Sequence, residues 1–424
     1  MSLLDFVVPV ILALNAVQQL AGVIWFVRAV TRAHRQPKGA VEDDQLPPVL
    51  VVLKLRGADP YLRDCLRGLI HQDHPRYQVR IVVDSKEDAA WAVVHEVLRE
   101  TPADHVEVQP LIDPAETCSL VCSALLQATE DLPEGCQVIA TLDSDVVAHP
   151  SWLRELVSPL QDPRIGVARG IRWFAPPLGK WGSWVRYLWN LAVEVSAYYT
   201  GMPWGGSLAM KVSVLHDTDL GQRWQKSANE DVLIGSAARR LRLKTSWVSS
   251  LVMVNREECD LASCFRFMHR QQIWGRLYNP VAFWANAAAF LQIVVAVAWG
   301  LGWSVFAGLQ DRWLAAALNI TSIVAFFGAQ ALIVVLVETM VHRLLAPRGM
   351  IGARLTPKTF LALVLSQFWS AYILCRSMAA RKYEWRGVEY EVDGPWKVRM
   401  KYRPYNAASD QAAASSKTTE FDSI

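Results

Sequence analysis

The chain opens on a long apolar run. From Phe6 to Val27 only Asn15, Gln18 and Gln19 interrupt it, enough for a membrane-spanning helix, which needs about 20 residues. The basic cluster Arg28, Arg32, Arg35 and Lys38 follows the run. A cleaved signal peptide would carry its positive charges ahead of the apolar region. The observed order predicts an uncleaved anchor over residues 1–31, with its N-terminus outside and the next domain in the cytoplasm. Residues 32–48 read as a polar linker bearing prolines.

From residue 49 the pattern changes to short β-branched runs alternating with amphipathic stretches. The runs at 49–55, 79–84, 106–111, 137–143 and 165–173 predict strands. The stretches at 59–72, 88–100, 119–132 and 151–160 predict helices. Such alternation predicts an α/β domain over residues 49–279 with a Rossmann-like, mostly parallel sheet. Ligands of such sheets bind beyond the carboxyl ends of the strands, where Asp84 and Asp143 stand.

After residue 279 apolar runs return. Residues 281–309 and 313–337 are each long enough to span a bilayer. The short link between them makes a helical hairpin. His342, Arg343, Arg348, Arg354 and Lys358 in the next loop place it in the cytoplasm. A third stretch, 359–380, carries Ser366, Gln367, Ser370 and Arg376. It spans, lies in the interface or re-enters, and the pattern leaves these open. Residues 280–380 thus form a C-terminal helical membrane region. A basic segment containing Trp385, Arg386 and Gly387 covers 381–405, and 406–424 reads as a disordered tail. Residues 178–206 are rich in Trp and Tyr but broken by Arg186, Asn190 and Glu194. This predicts an interfacial helix, with an ordinary core helix as the alternative.

Composition changes little. A net charge of +3 is too small to argue for a nucleic-acid partner. The 7 cysteines form no C-x-x-C pair, which excludes the usual zinc spacings and predicts reduced thiols.

The candidate chemistry lies in three carboxylate groups. Asp143 and Asp145 follow a buried run, one residue apart. Like charges there repel and lose hydration unless a cation lies between them. Hard oxygen donors suit Mg2+ or Mn2+, which keep waters and complete their shell with substrate phosphates. The competing reading is a turn or a helix cap, a role Ser151 could fill alone. Asp84 ends another run and offers an acceptor for a base or ribose; a solvated turn is the bland alternative. Glu230 and Asp231 open an amphipathic helix that Asn229 could cap. Asp231 there is either a general base or a carboxylate favoured by the helix dipole.

Taken in order, "VLKLRGADP", "QDHPRYQVRIVVD", "TLDSD", "GGSLAM", "NEDVLIG", "RQQIW" and the late "WRGVEYEV" resemble glycosyltransferase family 2 enzymes of the GT-A fold. The resemblance is closest to the ceramide glucosyltransferases and related bacterial lipid glycosyltransferases, and it covers roughly residues 5–400. It implies a hexosyltransferase that inverts the anomeric carbon, acting from a nucleotide sugar, a UDP-sugar, onto a lipid hydroxyl. In that pattern Asp84 holds the uracil or ribose. Asp143 and Asp145 bind a divalent metal and the diphosphate, and Asp231 is the base. Arg270 and Trp274 belong to the element near diphosphate and acceptor. This chain departs from the pattern at Ile273, where the family carries Arg, with Arg276 and His269 as the neighbouring replacements. A processive polysaccharide synthase would need more spans than three or four. A non-catalytic membrane scaffold with a decayed transferase domain is the rival from another class.

Overall fold

The computed structural model describes residues 2–35, 42–177, 179–403 and 405. Residues 36–41 of the expected linker and the expected tail, 406–424, lie outside the described residues. The elements in chain order are α1 (Leu4–Arg35), β1 (Val49–Leu55), α2 (Leu62–Ile70), β2 (Tyr77–Val83), α3 (Ala89–Glu100), β3 (Val106–Pro110), α4 (Leu120–Glu130) and β4 (Val138–Leu142). Then come α5 (Trp152–Val157), β5 (Ile165–Phe174), α6 (Trp181–Thr200), β6 (Ser207–Lys211), α7 (Val212–His216), α8 (Leu220–Trp224), α9 (Asp231–Arg240) and β7 (Lys244–Asn255). The last are α10 (Leu261–Tyr278), α11 (Pro280–Leu309), α12 (Trp313–Leu345), α13 (Pro357–Met378), β8 (Lys382–Trp385), β9 (Val388–Gly394) and β10 (Lys397–Lys401).

Two compact units share this chain. One comprises Pro37–Trp173, Ser196–Asn255 and Ala380–Ile424; the other Met1–Gln36, Phe174–Val195 and Arg256–Ala379. The first is built on a seven-stranded sheet of order β3-β2-β1-β4-β6-β5-β7. β1 pairs in parallel with both β2 and β4, and β2 with β3. β6 runs antiparallel between β4 and β5. The sheet is therefore mostly parallel α/β, as the alternating pattern predicts. β1 and β4 are nearly continuous apolar runs because both of their faces are covered. Their side chains join those of α2, α3 and α5 in one core. The chain winds from β1 outward through β2 to β3, then returns to place β4 on the other side of β1. That switch point opens a crevice at the carboxyl ends of β1 and β4.

The sequence pattern missed two parts of this unit. β6 and β7 lie in stretches with no clean alternation. The segment 381–405 is not merely basic: β8, β9 and β10 make an antiparallel sheet of their own. Tyr383 and Tyr390 stack across it at 4.8 Å.

The second unit is helical. Four helices are long and apolar enough to cross a membrane: Leu4–Arg35, Pro280–Leu309, Trp313–Arg348 and Pro357–Met378. The fourth covers most of the 359–380 stretch. Val8 and Leu12 of α1 pack with Ile293 and Val297 of α11 and with Ile323 and Phe326 of α12. Arg312, in the tight α11–α12 link, donates to the buried Asp5 carboxylate at 2.5 and 2.7 Å. This pair puts the start of α1 and that link at the same end of the bundle. The polar residues that break the 178–206 run are buried in α6. Arg186 pairs with Glu257 at 3.3 Å and lies 4.3 Å over the Phe174 ring.

Candidate active site

Three of the expected carboxylates gather at the carboxyl edge of the sheet. Asp143 and Asp145 follow β4 directly, and Asp231 opens α9. The turn 204–206 joins them. Thr141 Oγ1 donates to the Gly205 carbonyl at 2.6 Å, and the Asp143 N–H donates to the Gly206 carbonyl at 3.2 Å. The Gly205 N–H in turn donates to Asp231 Oδ2 at 3.1 Å. Gly206 has to be glycine. A Cβ there would stand 2.3 Å from Asp143 Oδ2 and 2.2 Å from Trp204, well inside contact distance.

The Asp143 carboxylate is only loosely held. It accepts no hydrogen bond among the described residues, and its side chain is 42% exposed. Its nearest cation is Lys54 Nζ at 3.9 Å. That ammonium is buried and donates no hydrogen bond among the described residues. Asp145 is held differently: Asn255 Nδ2, at the end of β7, donates to its Oδ2 at 2.7 Å. Asn255 is buried and fixes one oxygen of Asp145. No group of three or more His, Cys, Asp or Glu among the described residues is placed to share an ion. What Asp143 and Asp145 could offer a metal is two carboxylates. That donor set fits Mg2+ or Mn2+, which take their remaining ligands from water and phosphate. Ser151 does not cap α5 through its side chain; its hydroxyl donates to Glu155 at 2.7 Å.

Asp231 and Glu230 are neighbouring carboxyls whose charges repel. Asn229 Oδ1 accepts the Val232 N–H at 3.1 Å, so a neighbour already caps this helix. Burial pushes the Asp231 carboxyl up; the Gly205 N–H, Asn229 and the Arg172 charge oppose that shift. Glu230 is pushed up to about 7, by burial first and by the Asp231 charge second, with Lys54 opposing. The pair therefore keeps a proton into the neutral range.

Asp84 sits at the end of β2, buried. Arg56 Nη1 pairs with its Oδ2 at 2.5 Å, and the Tyr405 N–H donates to the same oxygen at 3.3 Å. Oδ1 accepts no hydrogen bond among the described residues. Burial pushes this carboxyl up despite the Arg56 charge. Breaking a buried pair of this kind costs about 3–5 kcal/mol, so Asp84 also carries structural weight. Asp88, in the loop that follows, caps α3 through the Ala90 N–H and also accepts the Gly57 N–H at 2.9 Å.

Arg270 and Trp274 lie on α10 in the helical unit, with the Arg270 guanidinium 5.1 Å over the Trp274 ring. Ile273, where the family pattern has Arg, is fully buried; a guanidinium there would be desolvated. Of the neighbouring replacements, Arg276 donates to the Met378 carbonyl at 2.5 Å. His269 stacks on Phe265 at 5.1 Å, and burial lowers its titration.

Sequence reasoning missed Lys54, Asn255, Trp204 and Arg172. Only "GGSLAM" hinted at the turn that carries Trp204.

The chain is similar to known glycosyltransferases. A family model described as "Glycosyl transferase family 21" matches residues 8–397. A ceramide glucosyltransferase of Pyricularia oryzae is 30% identical over 90 residues, which is 20% of this chain and 18% of that relative. The match therefore spans less than a fifth of the curated relative. Among solved structures, a mannosyltransferase from Pyrobaculum calidifontis, in complex with GDP-Man and Mn2+, aligns with a TM-score of 0.48 and 12% identity. It covers 88% of this chain and 99% of that one. Glucosyl-3-phosphoglycerate synthase from Mycobacterium tuberculosis, with Mn2+, UDP and phosphoglyceric acid, aligns with a TM-score of 0.36 and 15% identity over 53% of this chain and 77% of that one.

Proposed function

The chain belongs to glycosyl transferase family 21, and from that premise we propose that it moves a hexose from a nucleotide sugar, a UDP-sugar, to the hydroxyl of a membrane lipid such as ceramide. The observation that carries the reading is the Asp143 carboxylate. It stands partly open at the switch point of the sheet and accepts no hydrogen bond among the described residues. A carboxylate at such an edge, met only by a long contact with Lys54, is available to a ligand.

In this reading Asp143 and Asp145 hold a divalent cation, which supplies charge neutralisation for the departing diphosphate when bound. The unpartnered Oδ1 of Asp84 accepts from the uracil or ribose. Asp231 takes the proton from the acceptor hydroxyl. The hydroxyl oxygen attacks the anomeric carbon on the face opposite the diphosphate. The bond from that carbon to the diphosphate oxygen breaks, and the nucleoside diphosphate leaves with inversion. Arg270 and Trp274 serve the donor by the family pattern alone. The four long apolar helices support a bilayer-resident acceptor, and Arg28, Arg32 and Arg35 at the C-terminal end of α1 support a cytoplasmic catalytic unit.

The acidic pair gives this mechanism a pH signature. Burial raises both carboxyls, and Glu230, beside the Asp231 charge, holds its proton up to about pH 7. Transfer needs ionised Asp231 and is helped by the added negative charge of ionised Glu230 beside it, so kcat should rise with pH above the ordinary carboxylate range and up through the Glu230 titration. A cation on Asp143 removes a like charge that helps hold Glu230 up. Added metal should therefore shift the rise to lower pH. A profile that stays flat from pH 5.5 to 8.5 contradicts this.

The reading as a whole is tested by titrating the detergent-solubilised full chain with a UDP-sugar, with Mn2+ and with chelator. Binding that appears only with the metal is expected. A chain that binds no nucleotide sugar is a membrane scaffold instead.

A further inference from the structure

We propose that Arg386 is a positioning residue that holds the two halves of the donor site in register. The inference rests on the transferase reading above, and it assigns a role to the Trp385-Arg386-Gly387 turn.

Trp385 pairs with Val388 across the β8–β9 hairpin, so Arg386 and Gly387 form a two-residue loop. Both have positive φ, 47° and 77°. Such loops favour Asn or Gly at the first position because a Cβ is strained there. A long charged side chain in that conformation is an outlier, and outliers of this kind collect where a side chain has a task. Here the side chain has one. Its Nη2 donates to both carboxylate oxygens of Asp59, at 2.6 and 2.8 Å. Its Nη1 donates to the Arg56 carbonyl. Arg56 Nε returns a hydrogen bond to the Arg386 carbonyl at 2.8 Å.

Two branches leave this knot. Along one, Asp59 accepts the hydroxyl of Ser144, the residue between Asp143 and Asp145. Along the other, Arg56 pairs with Asp84 at 2.5 Å. The carboxylates expected to hold the diphosphate and the one expected to hold the nucleoside are thus tied to one guanidinium, whose own bonds to Arg56 span 330 residues of sequence. A hairpin that only needed anchoring would not require both branches. A planar guanidinium with several fixed donors can serve both; an ammonium cannot.

The test uses the purified full chain with UDP and Mn2+, measuring nucleotide affinity by calorimetry and donor KM and kcat by turnover. Supporting groups one bond removed from a ligand typically change affinity by about 10–100-fold. Arg386→Met should weaken UDP binding and raise donor KM by about tenfold, with a smaller fall in kcat. Ser144→Ala alone should weaken binding several-fold, yet add little in the Arg386→Met background, because the branch is already cut. Arg386→Lys should recover only part of the loss. Lys401→Ala removes a surface contact of the same small sheet, to Glu389 at 2.7 Å, and should change nothing. If Arg386→Met does not fold, Arg386→Lys and Ser144→Ala carry the comparison. A nucleotide affinity within twofold of the parent in these variants, or effects of Ser144 and Arg386 that simply multiply, overturns the proposal alone. A parent chain that binds no nucleotide overturns it together with the transferase reading.

Discussion

Replacing Asp231 with Asn should lower kcat by about 10²–10⁴-fold, the usual worth of a general base. That is about 3–5.5 kcal/mol of barrier. The substitution keeps the shape and leaves an amide oxygen to accept the Gly205 N–H. UDP affinity and melting temperature should therefore stay close to the parent. The competing role for Asp231 is helix capping, and the magnitudes separate the two. Losing a cap costs about 1 kcal/mol of stability. Asn229 already accepts the Val232 N–H, so even that cost should be muted. A variant that is less stable but turns over at the parental rate would leave Asp231 as a cap. Steady-state kinetics at saturating donor, beside a thermal melt, distinguish the outcomes.

Asp143→Asn should have the second largest effect. The change removes one of two charges offered to a cation, and it removes no hydrogen bond made by the Asp143 carboxylate among the described residues. Stability should barely move, since the group is 42% exposed and its contact with Lys54 is long. What should vanish is the metal dependence. UDP binding in the variant should be weak, and equally weak with Mn2+ and with chelator. Transfer should fall by about a thousandfold, roughly 4 kcal/mol. Calorimetric titrations in the two buffers check this. A variant whose nucleotide binding still strengthens with Mn2+ would move the metal away from Asp143.

Much of this architecture is written locally in the chain. β1, β2 and β4 show as continuous β-branched runs because both faces of a parallel sheet are covered. A strand-end carboxylate is legible for the same reason: it is the first charge after an uninterrupted apolar run. That logic located Asp84 and Asp143. It failed where placement depends on distant partners. Asn255 ends a strand whose pattern is irregular, and nothing in its neighbourhood foretells Asp145. Lys54 reads as the polar end of β1 and gives no sign that its ammonium reaches Asp143. Segment 381–405 reads as a basic stretch because short antiparallel strands with exposed Lys and Glu on one face carry little apolar signal. Its hydrogen bonds to Arg56 and Asp59 span more than 300 residues and leave no local trace. Ile273 reads as a missing cation in the sequence, and its burial explains the choice: a guanidinium at that position of α10 would be desolvated.

The central claim is transfer of a sugar to a lipid, and one measurement addresses it most directly. The full chain would be reconstituted in lipid nanodiscs containing ceramide, supplied with a UDP-hexose and Mn2+, and the lipids read by mass spectrometry. The account predicts a new lipid heavier by one hexose, absent with chelator and absent with Asp231→Asn. Nucleotide-sugar binding with no hexosylated lipid, from ceramide or from a panel of other hydroxyl-bearing lipids, would contradict it.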